Sequence, residues 1–168
     1  GRVSIGVRGM RLDGADDELI GMVCINDPKT ETVMVVSENG YGKRSAVVDD
    51  NDDDVYRKTR RGGKGVKTLA ITEKTGKLVA IKVVTDENDL MIINKSGVLI
   101  RLKVAEVRVT GRATQGVRLI NLAKKNDVIA SVCKVMSNQE EDVEEAEIVD
   151  DEVDEANNAP VIEIAPEE

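Results

Sequence analysis

Histidine is missing from this 168-residue chain, as are phenylalanine and tryptophan, and only two tyrosines are present. Without an imidazole there is no histidine general base and no histidine-ligated zinc. Without aromatic platforms the chain lacks the usual means of stacking single-stranded bases. Two cysteines, Cys24 and Cys133, are too few for a disulfide framework and fit a reducing, cytosolic compartment. Both sit in apolar runs, so they are expected as small buried hydrophobes. No apolar stretch reaches the length of about 18 residues that a membrane span needs, and no secretory leader pattern occurs. The chain opens on Gly1 rather than Met, as expected of a piece of something longer.

Charge is plentiful and unevenly placed. Residues 138–168 hold 14 of the 32 acids and no base, which leaves 24 bases against 18 acids in residues 1–137. The body is therefore basic and the tail acidic, although the whole chain carries a net charge of −8. A tail of this composition repels itself and cannot bury a core, so residues 138–168 are read as disordered. Beside a basic body, such a tail is suited to compete internally for a polyanion site.

Internal repetition organises the body. The segments 1–12, 61–69 and 111–122 resemble one another, and their shared Gly-Val falls at Gly6, Gly65 and Gly116, spaced by 59 and 51 residues. After each comes an apolar run, around Ile20–Val23, Leu78–Ile81 and Val128–Ser131. A second element occurs twice. Val33–Val36, a turn at Asn39-Gly40 and Lys43–Val47 are matched by Leu90–Ile93, a turn at Ser96-Gly97 and Ile100–Val104, with Gly40 and Gly97 separated by 57 residues. Short Val/Ile runs, glycine-centred turns and no sustained helical period predict an all-β fold. Repeats of about four antiparallel strands describe propeller-like blades. The body holds roughly two and a half of them (1–137), and a closed ring would need further blades upstream of Gly1.

Motifs for catalysis fail where they can be tested. Gly62-Gly63-Lys64-Gly65 is out of step with a phosphate loop, and Gly40–Ser45 lacks the third glycine of a dinucleotide fingerprint. Serines are present with no histidine to activate them. Tyr56 is expected to be an exposed loop residue. The acidic stretch Asp49–Asp54 lacks the glycine and late glutamate of an EF-hand and is read as a solvated surface loop.

The basic residues carry the stronger signal. Arg57, Lys58, Arg60, Arg61, Lys64 and Lys67 surround Gly62, Gly63 and Gly65. Glycine lets the backbone approach a phosphate closely, and Arg and Lys supply charge and paired donors. The pattern recurs at Arg2 and Arg8 and at Arg112 and Arg118, while the hairpins add Lys43, Arg44, Arg101 and Lys103. On one rim these residues would make a positive stripe fitted to the backbone of duplex DNA, bent around the edge. The alternative is a propeller-type protein-interaction scaffold whose charges only keep edge strands soluble.

Gly1–Leu12, Glu38–Arg44, Thr59–Gly65 and Val109–Val117 together resemble the C-terminal domain of the bacterial DNA gyrase A subunit, and the resemblance extends to about residue 135. It implies a six-bladed β-pinwheel that wraps double-stranded DNA around a basic perimeter, so that the parent topoisomerase introduces negative supercoils with ATP. It also implies a cytoplasmic parent assembly of two A and two B subunits that needs magnesium. The catalytic tyrosine of the family lies upstream, so no catalysis and no cofactor are expected of this piece. The family's signature box begins with Gln and sits in the first blade. Here Thr59 takes that position in one of the last blades, so Arg60, Arg61, Lys64 and Gly65 resemble a repeat-related copy. The corresponding domain of topoisomerase IV is the related alternative.

Overall fold

The computed structural model describes residues 2–122 and 127–137. The acidic tail, with its expected disorder and competitor role, lies outside the described residues. Among them the chain forms strands β1 (Thr32–Ser37), β2 (Tyr41–Ala46), β3 (Leu78–Val84), β4 (Asn88–Asn94), β5 (Leu99–Lys103), β6 (Val117–Arg118) and β7 (Ile129–Met136), with a 3-10 turn at Val104–Glu106. Two antiparallel sheets result, in the orders β3-β1-β2-β6 and β5-β4-β7.

The two hairpins follow from their turns. Gly40 and Gly97 both have positive φ (82° and 87°), and each donates its N–H three residues back, to Ser37 and Asn94. Only glycine takes this conformation without a Cβ penalty. β1 is buried on both faces, which explains its unbroken apolar run. Met34 and Val36 face one cluster, shared with Leu90, Ile92, Val104 and Val132 of the other hairpin and β7. Val33 and Val35 face a second cluster with Val47 and Leu69. The first cluster packs one sheet on the other as neighbouring blades do.

A blade is not a contiguous repeat, however. The apolar strand that follows each Gly-Val motif pairs with the hairpin before it, β3 with β1 and β7 with β4. The outermost strand of the first sheet is β6, drawn from the third motif, with Tyr41 opposite Arg118 and Gly42 opposite Val117. This interleaving also explains why Ile20–Val23, expected to be a strand, is not one. No hairpin precedes it among the described residues, and Leu19 and Met22 stay exposed.

Two further expectations are corrected. Cys24 and Cys133 are both exposed. Cys133 lies on the outward face of β7, whose inward positions are Ile129 and Val132, and Cys24 alternates with the half-buried Val23 and Ile25. Tyr56 is half-buried rather than exposed. It packs against the Val33–Val35 cluster and its hydroxyl lies 2.8 Å from Thr68 Oγ1.

Candidate nucleic-acid interface

The three motif glycines share one backbone state, with φ of 85°, 79° and 78° at Gly6, Gly65 and Gly116. Around them the basic segments meet in sequence. Gly62 donates to Gly9 O (2.9 Å) and Arg11 to Gly63 O (3.0 Å), so the first motif lies along the second. Gly63 in turn donates to Arg60 O at 3.3 Å, closing the Arg60–Gly63 turn, and Gly62 has φ of 75°. The third motif joins next: the Arg112 guanidinium donates to Lys67 O, and Ala70 donates to Thr114 O at 3.1 Å. Arg8, Arg60, Arg61, Lys64, Lys67 and Arg112 are thereby brought onto one connected run of loops. All are exposed except Arg112, which is half-exposed. Arg57 and Lys58 are exposed on the approach to it, and Arg2 at the start of the chain.

Opposing charge along this run is light. Asp13 pairs with Lys64 (2.6 Å) and Arg11 (3.3 Å), with every partner about half exposed. Exposed pairs of this kind contribute about 0–1 kcal/mol and exchange readily for another anion.

The hairpin cations are placed otherwise. Lys43 and Arg44, expected on the open rim, are 1% and 6% exposed. β2 is flanked by β1 and β6, and the 109–112 loop closes over it through an Arg44–Val109 bridge. The Lys43 ammonium donates to the carbonyls of Gly111 (2.6 Å) and Arg112, and Arg44 pairs with Asp86. The Lys43 side chain therefore fastens the loop that carries Arg112, and Arg44 does so through its backbone carbonyl, which accepts the Thr110 N–H at 2.8 Å. On β5, Arg101 reaches the buried carboxylate of Asp89 at 2.6 Å, while Lys103 remains exposed.

Burial, helped by the Arg112 charge, pulls Lys43 down from 10.5 to about 8. Between these values the unfolded chain holds the proton that the folded chain has lost, so stability rises with pH through this window. Thermal unfolding followed from pH 7 to 10 will show this rise. Lys43→Met will shrink it and, by leaving the Gly111 and Arg112 carbonyls without their donor, lower the midpoint most at the alkaline end, where Lys43 no longer buries a charge.

Arg118 leaves the loop run and turns to Tyr41, whose hydroxyl accepts its Nε (3.2 Å) and Nη2 (2.9 Å). These bonds hold the phenol below its ordinary range. Lys74 lies over the same ring at 5.4 Å from its centre. Lys74 was not singled out from sequence, because a lone lysine in a loop carries no pattern. Only its approach to Tyr41 marks it.

Among the described residues no group of acids and cysteines is placed to hold a metal ion. The acidic stretch 49–54 is a closed turn in which the Asp49 carboxylate accepts the N–H groups of Asn51 and Asp53, both at 2.9 Å. No helix among the described residues is long and apolar enough to cross a membrane.

Residues 1–26, 31–85 and 88–133 match the family described as DNA gyrase C-terminal domain, beta-propeller. The chain belongs to the DNA gyrase C-terminal domain family. It is 45% identical over 147 residues to the DNA gyrase A subunit of Staphylococcus aureus strain NCTC 8325, a match that covers 88% of this chain and 16% of the relative. The corresponding protein of strain MRSA252 is 45% identical over 145 residues. The chain thus spans about a sixth of the length of these relatives. Among solved structures, a DNA gyrase A C-terminal domain aligns with a TM-score of 0.54 and 25% identity, covering 64% of this chain and 34% of that one. The C-terminal domain of a DNA topoisomerase IV aligns with a TM-score of 0.67 over 79% of this chain and 38% of that one. At 22% identity, this second likeness speaks to the fold alone. Both of these sequence relatives are gyrase A subunits, which favours gyrase over topoisomerase IV.

Proposed function

We propose that this chain is a DNA-binding and DNA-wrapping portion of a gyrase A subunit, holding duplex DNA by its phosphates along the loops of the three glycine motifs. The observation that carries this reading is the connected run of exposed cations from Arg8 through Arg60, Arg61 and Lys64 to Lys67 and Arg112. Their donors suit phosphate oxygens, and the near-absence of aromatic side chains argues against base stacking. Bending a duplex over this run supplies the parent enzyme with a crossing of fixed hand, the geometry for ATP-driven negative supercoiling. The stretch itself performs no catalysis. Magnesium and ATP belong elsewhere in the parent enzyme, a cytoplasmic assembly of two A and two B subunits.

Energy transfer between dyes on the two ends of a duplex tests the bend. Binding will bring the ends closer, whereas binding with unchanged end separation would contradict wrapping. The acidic tail acts in this scheme as an internal competitor for the cationic loops. Removal of residues 138–168 will tighten DNA binding at low salt, and the gain will shrink as salt screens the attraction. Equal affinity of the two lengths at low salt would dismiss the competitor role.

A further inference from the structure

We propose that the cleft between the Asn39–Gly40 turn and residues 118–122 is a phosphate pocket, in which Lys74 and Arg118 flank Tyr41 and hold one backbone phosphate of the duplex. This rests on the DNA reading above and adds to it a station outside the glycine-motif loops.

The cleft has a volume of about 280 Å³ and is lined by Asn39, Tyr41, Lys74, Arg118, Leu122 and Asp127, among others. Tyr41 is its fixed centre. It is 8% exposed and paired across the sheet with Arg118. Arg118 spends one edge of its guanidinium, Nε and Nη2, on the phenol oxygen and sits 5.5 Å from the ring centre. The planar fork is then pre-oriented, with its Nη1 donors left over for an anion. Lys74 is brought in by the turn of residues 72–76. Asn39 clamps that turn, donating from Nδ2 to Glu73 O (3.1 Å) and Lys74 O (3.3 Å) and from its backbone to Thr75 O (3.2 Å). Two cations thus converge on one phenol, each positioned by a hydrogen bond of the hairpin.

Asp127 is the acid of the lining. Its Oδ1 accepts the Val128 N–H at 2.8 Å, while its Oδ2 is buried without a hydrogen-bond partner. Against this one carboxylate stand the two cations Lys74 and Arg118, so the cleft is net positive. Its location points to the duplex as the source of the phosphate. The Arg112–Lys67 and Thr114–Ala70 contacts stand just before the 72–76 turn in the chain, so Lys74 follows the cationic loops in sequence.

The full chain carrying Tyr56→Phe tests this, because Tyr41 is then its sole tyrosine. Its ionisation is followed by phenolate absorbance, alone, with a short duplex and with inorganic phosphate. A phosphate seated beside the phenol disfavours the phenolate, so the duplex will raise the pH midpoint of Tyr41. The surface change Lys74→Gln will shrink that rise, and Lys74→Gln with Arg118→Gln will abolish it. The double variant will also flatten the plot of log affinity against log salt by about 0.9, one phosphate contact's worth. A duplex that binds while the Tyr41 midpoint and the salt slope stay unchanged overturns the pocket. A rise with inorganic phosphate but none with the duplex overturns the assignment to DNA backbone. Absence of any duplex binding, read by anisotropy on the same samples, removes the DNA reading and the pocket with it.

Discussion

Gly116→Ala will unfold the outer edge of the first sheet, while the same change at Gly6 will leave the fold nearly intact. The two glycines share a sequence motif and a positive φ, and the left-handed backbone alone costs an L-residue about 1–2 kcal/mol. They differ in their surroundings. A Cβ on Gly6 meets no atom within 4 Å, whereas one on Gly116 collides with Gly42 O and reaches Lys43 Cβ at 3.1 Å. Gly42 lies in β2 and cannot move aside without breaking its pairing with Val36. The collision therefore expels β6, and with it the carbonyls of Gly111 and Arg112 that Lys43 needs. Circular dichroism melts of the two variants check this. A larger loss at Gly6 than at Gly116 would contradict the interleaved blade.

Replacing Arg60, Arg61, Lys64 and Arg112 together by Gln will weaken duplex binding by two or more orders of magnitude at low salt. Each phosphate contact contributes about 0.9 to the slope of log affinity against log salt, so four lost contacts flatten it by about 3.6. Arg60, Arg61 and Lys64 are exposed, and the half-exposed Arg112 gives up one guanidinium bond, to Lys67 O. A melt within a few degrees of the parent will separate lost contacts from lost structure. Lys43→Gln serves as the contrast. Its ammonium is buried on two carbonyls, so it will lower the melt and leave the salt slope close to the parent's.

Much of this architecture is legible in the residues. Hairpin positions follow from Asn39-Gly40 and Ser96-Gly97, because a tight turn needs positive φ and these pairs supply it. Double-sided burial of β1 follows from the unbroken Val33–Val36 run. The interleaving does not, since a repeat spaced along the chain says nothing of which copies pair in space. That is why Ile20–Val23 reads as a strand although its pairing site is not supplied. For the interface, the clustering of Arg60, Arg61, Lys64 and Lys67 around glycines is a local signal. Lys43 and Arg44 form an equally basic pair, yet their fate is decided by the 109–112 loop, distant in sequence, that closes over them. Tyr41 and Lys74 meet only through the fold.

Fluorescence anisotropy of the full chain with a duplex of arbitrary sequence, across a salt series, reaches the wrapping account at its base. Six exposed or half-exposed cations on the connected loops predict a contribution of about −5.4 to the slope, about 0.9 for each, with little change when the duplex sequence is shuffled. A flat salt dependence, or no binding at low salt by a folded chain, would contradict phosphate-led binding along these loops.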